Sequence, residues 1–302
     1  MNKKICIIIP THGAGDAFID CLNSIIGQTI SPVIIIIVNN NVQDGSIEKF
    51  FQQHSITQFS GKINNINIQT INCFENTGVT GGRNTGIDNL PLDYDFVCFV
   101  DHDMVAKPSL LQNLQSTLEK DNNIGIVTPK IFYWDNKDII WSAGTDINLT
   151  TGQTIFYGGK DLGQYDQEKE VAIAPAIFLV KKSVIDSIKH FDEKYFATYE
   201  DTDFCFQAKR KGYKIFYNPK AIAYHKIPYD PTLAMNRLLE RSYWVGRNRY
   251  LFLRKFKYFT LTTILFIPVY FMYYAKLGVQ YKNLSSIKNY IHGVIDGLSI
   301  KI

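Results

Sequence analysis

Six consecutive residues, Val33 to Val38 (VIIIIV), leave a strand no polar side to turn to water. A half-exposed strand alternates apolar with polar residues, whereas an unbroken β-branched run fits a parallel strand covered on both faces. Ile5 to Ile9 reads as another buried strand, closed by Pro10-Thr11-His12-Gly13-Ala14-Gly15. Between the two, Asp16 to Gly27 sets Phe18, Ile19, Leu22, Ile25 and Ile26 on one side of a helix. Strand, helix and buried strand form a βαβ unit, which commits this part of the chain to an α/β fold with a mostly parallel sheet.

The alternation continues. Asn39-Asn40-Asn41 makes a loop, Asp44-Gly45-Ser46 introduces a helix up to about His54, and Ile66 to Asn72 is a third strand. Glu75 to Asn84 reads as a Gly-rich loop entering a helix near Arg83 to Asn89. Phe96 to Val100 is a fourth strand, Ser109 to Lys120 an amphipathic helix, and Gly125 to Pro129 a further strand. From about Lys130 to Lys169 the pattern loosens into hairpins and a mobile loop. Order returns at Ala174-Pro175-Ala176 with a strand over Ile177 to Val180 and a short helix over Ser183 to His190. Asp201 to Lys211 is a helix closed by Gly212, and Lys214 to Tyr217 and Ile222 to His225 are strands. Helical character dominates from about Leu233. The expected organisation is an α/β domain over 1–230 and a helical appendage over 231–302.

A chain of 302 residues with 46% hydrophobic and 20% charged residues has the apolar mass for a sizeable core. Its five cysteines (Cys6, Cys21, Cys73, Cys98, Cys205) lie far apart without a C-x-x-C pair, which indicates neither a zinc knuckle nor a disulfide framework and fits a reducing cytosol. The net charge of +4 conceals an asymmetry: 17 of the 32 Lys and Arg, but only 3 of the 28 Asp and Glu, lie from Gln207 onward. A basic, aromatic C-terminal third suits an anionic partner. Tyr258 to Ala275 carries no charge and is flanked by Arg254, Lys255, Lys257 and Lys276, which favours a membrane face over nucleic acid. Its 18 residues reach the lower limit for a spanning helix, but Pro268 and its tyrosines suit an interfacial or re-entrant helix better. A buried helix pair of a soluble appendage is the competing reading. Near the N-terminus the apolar stretch lasts only from Ile5 to Ile9, which reads as a strand and not as a signal peptide.

The fourth strand ends in Asp101-His102-Asp103. Two carboxylates one residue apart can face a hard divalent cation from one side, and Mg²⁺ is commonly shared between such carboxylates and substrate phosphates. Ligands of open α/β sheets bind beyond the carboxyl ends of the strands. D-x-D at this position therefore suggests a nucleoside diphosphate held through a metal. A surface turn with two solvated aspartates would carry the same three letters.

Six segments in order carry a resemblance: IIIPTHGAGDAFIDCLNSIIGQT, IIIIVNNNVQDGS, ENTGVTGGRNTGI, FVCFVDHDMVAKPSLL, the stretch from Ala174 to Lys226, and WVGRNRY. The chain resembles the inverting glycosyltransferase family 2, with the GT-A fold, and most closely its rhamnosyltransferase-like branch. The resemblance covers about Ile5 to Arg249 and implies a single in-line displacement without a covalent enzyme intermediate. It implies a nucleoside diphosphate sugar as donor (UDP or dTDP, with rhamnose as first guess for the sugar) and Mn²⁺ or Mg²⁺ as cofactor. The acceptor it implies is a hydroxyl of a surface polysaccharide or lipid-linked oligosaccharide at the cytoplasmic face of the cell membrane.

The resemblance also assigns residues. Pro10 and Thr11 would lie against the nucleobase and ribose. The family places Asp where this chain has Asn39, so the charge-assisted bond to a uracil or thymine N–H is lost and cytidine becomes conceivable. Arg83 would meet the diphosphate, Gly78 would let the backbone approach the donor, and Asn76 and Asn84 would shape the loop. Asp103 would bind the metal directly, with Asp101 touching ribose or supporting the metal, and His225 as third metal or diphosphate contact. His102, between the two aspartates, would point to the opposite side of the strand, as a spacer and not a ligand. Asp201 would be the base that deprotonates the acceptor, kept ionised by a helix N-terminus, with Glu200 second and Asp203 as support. Trp244, Arg247, Asn248 and Arg249 would face a lipid-linked acceptor. Plainer readings compete at each place: a helix cap for Asp201 or Asp203, a core-edge histidine for His225, a solvated helix face for Trp244 to Arg249.

Two other functions fit parts of the pattern. A sugar nucleotidyltransferase shares the βαβ units and metal carboxylates, but Pro10-Thr11-His12-Gly13 lacks the basic Gly-rich loop it needs after the first strand. A non-catalytic membrane partner protein would have no use for the four carboxylates retained at Asp101, Asp103, Glu200 and Asp201.

Overall fold

The computed structural model describes residues 3–13, 15–56 and 60–302. Its elements begin with β1 (Ile5–Thr11), α1 (Asp16–Ile26), β2 (Ile34–Asn39), α2 (Ser46–Gln53), β3 (Ser60–Ile63), β4 (Ile66–Asn72) and α3 (Gly78–Asp88). There follow β5 (Phe96–Val100), β6 (Met104–Ala106), α4 (Leu110–Leu118), β7 (Ile124–Tyr133), β8 (Ile139–Ser142), β9 (Thr145–Asn148), β10 (Gln153–Phe156), β11 (Gly159–Lys160) and β12 (Lys169–Glu170). The chain continues through β13 (Ile177–Lys181), α5 (Lys182–Ile188), α6 (Glu200–Arg210) and β14 (Lys214–His225). It ends in α7 (Pro231–Glu240), α8 (Ser242–Lys255), α9 (Leu261–Gln280) and α10 (Leu284–Ser299).

The main sheet runs β11-β8-β7-β13-β5-β1-β2-β4-β3, with β14 beside β7 and β6 beside β14. The parallel order expected from the sequence holds for β4-β2-β1-β5. Beyond β5 the sheet is mixed, because β13 enters antiparallel to both β5 and β7. The uncharged runs explain the centre: Ile5 to Ile9, Ile35 to Val38 and Val97 to Val100 are completely buried. Phe18, Leu22 and Ile25 of α1 pack in the same core as Ile5, Ile7, Ile35 and Ile37.

Several boundaries differ from the expected ones for physical reasons. β1 runs through Pro10, whose missing N–H leaves the parallel register Pro10↔Val38 and Thr11↔Asn39 intact. β3, paired antiparallel with β4, has no sequence signature, because Ser60-Gly61-Lys62 has no apolar alternation. The two strands expected at 214–217 and 222–225 are one strand, β14, with a register shift between Asn218 and Ile222 at Pro219. α3 starts at Gly78, so within the expected loop of Glu75 to Asn84 the part from Gly78 on is its first two turns.

The described chain divides into two compact units. The first contains the sheet and comprises Met1–Thr145, Phe156–Phe196 and Asp201–Ile227. The second comprises Pro228–Ile302 with two short segments, Asp146–Ile155 and Ala197–Glu200. In the helical unit α8 and α10 meet backbone to backbone: a Cβ on Gly293 would lie 2.1 Å from Tyr243 O, and one on Gly297 2.2 Å from Arg247 O. Among the described residues α9 is the one helix long and apolar enough to cross a membrane by length and composition.

Candidate active site

The carboxyl ends of β1, β2 and β4 bring Thr11, Asn39 and Asn72 into line, since Thr11 pairs with Asn39 and Asn39 with Asn72. Asn39 is buried. Its Nδ2 donates to Asn72 Oδ1 at 2.9 Å, and its Oδ1 accepts from Asn41 N at 3.1 Å. The amide therefore has a fixed direction, with its oxygen on the loop side. Thr11 Oγ1 accepts from Gly13 N at 3.1 Å and ties down the loop after β1.

α3 packs against β1 through its glycines. A Cβ on Gly82 would lie 2.7 Å from Pro10 Cβ, and one on Gly86 2.4 Å from Ile8 Cγ2. The expectation that glycines here bring backbone to a donor gives way to a packing role at these two positions. Gly78 opens the helix at φ +70°, with Phe196 O 2.4 Å from where a Cβ would be. Asn76 Oδ1 accepts from Gly78 N at 2.9 Å, closing an Asx turn. Asn40, one of three consecutive loop asparagines in the sequence, holds the same turn: its Oδ1 accepts from Thr77 Oγ1 at 2.8 Å and its Nδ2 donates to Gly78 O at 3.2 Å. Asn84 clamps the Phe191 backbone, accepting from its N at 2.8 Å and donating to its O at 3.0 Å.

Arg83 lies inside α3 and not at its start, and its side chain is 0% exposed. Its guanidinium sits 5.4 Å from the Phe178 ring centroid and 5.2 Å from that of Phe191. One nitrogen, Nη2, donates to Asp101 Oδ1 at 2.9 Å, and Nη1 donates to Asp201 Oδ1. Arg83 thus joins the end of β5 to the start of α6. The sequence suggested a cation for a diphosphate; the fold turns that cation onto two carboxylates. Two aromatic faces and two anions offset the cost of burying it.

The D-x-D turn is fixed by its backbone. Asp101 N donates to Ala176 O at 2.9 Å, Asp101 O accepts from Met104 N at 3.1 Å, and Asp103 O accepts from Lys226 N at 2.9 Å. Asp103 Oδ2 lies 3.2 Å from His225 Nε2, because β6 and β14 pair His225 with Met104. Burial works to raise the Asp103 carboxyl, but the hydrogen bond and charge of His225, with His102 nearby, outweigh it and hold the group at about 2. Trp141 stands edge to face against the other side of this pair, its ring 4.6 Å from that of His225. Asp103 and His225 are together, while Asp101 turns to Arg83. Among the described residues no three His, Cys, Asp or Glu side chains converge as a ready-made metal cage.

The Asp201 side chain is 16% exposed. Burial pushes its carboxyl above the ordinary range; the Arg83 charge opposes this and Asp101 adds to it, while the Ala176 N–H bond favours the ionised form. A helix N-terminus favours the ionised form of this group, while burial, the largest influence on it, favours the neutral form. Ala176, at φ +60°, touches both Asp101 and Asp201, a role that nothing in its residue type announces. Asp203 is fully buried and accepts from Gln207 Nε2 at 2.7 Å, one turn along α6.

Glu200, Trp244, Arg247 and Asn248 belong to the helical unit. Glu200 is buried. Trp244 is partly exposed, and the Arg247 guanidinium lies 5.6 Å from its ring centroid. Asn248 is 0% exposed, so its side chain faces protein and not solvent. It donates to Ala197 O at 2.8 Å and Thr198 O at 2.9 Å, and accepts from Arg247 Nη1 at 2.7 Å. Thr198 and Tyr199 are both left-handed, at φ +63° and +65°, a conformation that costs each non-glycine residue about 1 kcal/mol or more.

Known proteins share the family and the fold of this chain. The model of the family described as "Glycosyl transferase family 2" matches residues 6–189. The O-antigen chain rhamnosyltransferase RfbN of Salmonella typhimurium is 24% identical over 267 residues, covering 81% of this chain and 75% of that protein. The uncharacterized glycosyltransferase YibD of Escherichia coli is 29% identical over 154 residues, covering 50% of this chain but only 41% of its own length. Among solved structures, the mannosyltransferase PcManGT of Pyrobaculum calidifontis, in complex with GDP-Man and Mn²⁺, superposes with a TM-score of 0.58. It is 14% identical, with 100% of this chain and 77% of that one covered. GalNAc-T7 with UDP, GalNAc and Mn²⁺ superposes at 0.57, with 11% identity and 93% and 55% covered. A family match over residues 6–189, more than half of the chain, on a sheet that superposes with these glycosyltransferases, establishes that the chain belongs to glycosyl transferase family 2.

Proposed function

We propose that this protein is a metal-dependent, inverting glycosyltransferase that moves a sugar from a nucleoside diphosphate donor to a hydroxyl of a surface glycan or lipid-linked oligosaccharide. The observation that carries the reading is the Arg83 bridge. It keeps Asp201, a carboxyl raised by burial, beside the D-x-D turn at the tip of β5. A general base for a hydroxyl works best when its pKa is brought toward the working pH, and burial moves Asp201 in that direction. In the single displacement Asp201 takes the acceptor proton while the acceptor oxygen bonds the anomeric carbon and the nucleoside diphosphate leaves. Glu200, the residue before it, is the second candidate.

Asp101, Asp103 and His225 fit a hard divalent ion. The donor set is mostly carboxylate oxygen, both aspartates are partly exposed, and the buried His225 Nδ1 has no hydrogen-bond partner. An ion shared with substrate phosphates needs only one or two protein carboxylates, so the lack of a complete cage is no obstacle. When bound, Mn²⁺ or Mg²⁺ would offset charge on the departing diphosphate. Thr11 and Asn39 would receive the ribose and base, with uridine or thymidine diphosphate favoured and rhamnose the first sugar to try, in line with the rhamnosyltransferase among its relatives.

The helical unit, with the division near residue 230, would dock on an anionic cytoplasmic membrane face. Leu261, Leu265, Met272 and Val279 of α9 and Leu284 and Ile295 of α10 are exposed, as are Lys257, Lys276, Lys282 and Lys288. Exposed apolar side chains flanked by lysines suit a helix lying in the headgroup region.

The test is release of nucleoside diphosphate from a panel of nucleotide sugars with Mn²⁺ or Mg²⁺, with and without a lipid-linked acceptor. Chelator-sensitive release that Asp103→Asn removes is expected. No release from any donor, with acceptor present, sinks the transferase reading and favours a binding protein.

A further inference from the structure

We propose that Asn248 is a positioning residue for the catalytic carboxylate: it holds the strained turn that delivers Asp201. The inference rests on the reading of Asp201 as base. Ala197-Thr198-Tyr199 leads directly into Glu200-Asp201 and the first turn of α6. Thr198 and Tyr199 adopt left-handed backbone, a conformation suited to Gly or Asn. A β-branched and an aromatic residue stay there only when their surroundings over-determine them.

Asn248 supplies that determination from α8. Its amide nitrogen donates to the two carbonyls that flank the first left-handed residue, Ala197 O and Thr198 O. Arg247 Nη1 donates to the same side chain's oxygen at 2.7 Å, which fixes the amide so that its NH₂ faces the turn. Tyr199, the second left-handed residue, is tied separately. Its hydroxyl donates to Gly152 O and meets Arg249, whose guanidinium lies 3.9 Å from the Tyr270 ring centroid. The sequence pattern R-N-R thus acts inward, from α8 onto the turn. No side chain but Asn or Gln offers a neutral two-proton donor with an acceptor for Arg247 behind it. Aspartate has the same shape but would place a carboxylate against two carbonyls.

The experiment compares Asn248→Asp with the parent in steady-state kinetics over donor concentration, beside a Thr198→Gly series. Donor-binding groups on β1, β2 and β5 are untouched, so turnover is expected to fall at least tenfold while the donor KM stays within about twofold. If Asn248→Asp does not give folded protein, Asn248→Ser, which removes both amide donors, is read in its place. Thr198→Gly lets the turn adopt its backbone without restraint. In that background the same Asn248 substitution is expected to cost at most a third as much in turnover. A general loss of packing would show no such rescue. Turnover within twofold of the parent overturns the proposal, as does a parallel change in kcat and donor KM, or an equal loss with and without Thr198→Gly. Asp201→Asn serves as the control: if it retains turnover, the base reading fails; if it abolishes turnover while Asn248→Asp does not, only the positioning role fails.

Discussion

The Arg83 guanidinium, which has no exposed surface, donates to Asp101 Oδ1 across 2.9 Å. The same side chain reaches Asp201, so one buried cation neutralises two acids from different elements. Arg83→Met fills similar space without charge and leaves the carboxylates facing each other. Removing one member of a buried ionic group typically costs about 3–5 kcal/mol. A fall of that order in unfolding free energy is expected by urea titration. Arg83→Met combined with Asp201→Asn should recover part of it, because one of the stranded charges is gone.

With Asp201 as the proposed base, its carboxyl is expected to set the pH dependence. Its ordinary carboxyl value is 3.8, and burial, with Asp101 adding to it, raises it against the pull of Arg83. A base works ionised, so turnover is present above its pKa and lost as pH falls through it. The acid limb of kcat is therefore expected above pH 3.8. Asp201→Asn should lower kcat by roughly 10²–10⁴-fold, the usual contribution of a general base, and abolish that limb while leaving nucleotide binding intact. An unchanged profile in this variant would remove Asp201 from the chemistry.

With Asn39 as the proposed contact to the nucleobase, base selectivity is expected to depend on its amide. Asn39 Oδ1 accepts from Asn41 N, and its Nδ2 is committed to Asn72. Asn39→Asp supplies a charged acceptor at this position, at the cost of the bond to Asn72 Oδ1. A charge-assisted bond exceeds a neutral one by about 1 kcal/mol, which is on the order of fivefold in binding. Competition between uridine, thymidine and cytidine diphosphates should shift toward uridine and thymidine by about that factor. Equal preference before and after the change would place the base elsewhere.

Much of the α/β unit could be read in the residues. The uncharged runs at Ile5 and Val33 became the parallel centre, and Phe96 to Val100 became β5 without adjustment. β3 stayed hidden because its residues carry no alternation, and β14 read as two strands because Pro219 interrupts one. Within the site, residue types were legible and their directions were not. Arg83 and Asn248 look like ligand-facing groups in a sequence, and both point into protein. Asn40 and Ala176 were invisible, since a loop asparagine and an alanine announce nothing; their roles arise from backbone carbonyls and amides that only folding brings near.

The helical unit makes its own prediction. Leu261, Leu265 and Met272 are 74%, 65% and 60% exposed on a helix whose single charge is Lys276. Water-exposed apolar area of this kind is unfavourable, and inserting it among lipid headgroups removes it from water. Each such side chain contributes on the order of 1 kcal/mol when partly inserted, so Leu261→Ser, Leu265→Ser and Met272→Ser together should weaken vesicle binding by roughly 100-fold. The exposed lysines add a charge-dependent part, expected only with acidic lipid and reduced as salt shortens the screening length. Cosedimentation with phosphatidylserine-containing and purely zwitterionic vesicles, at low and high salt, separates the two contributions. Binding that survives the triple substitution would mean that α9 is covered by protein and does not meet the lipid.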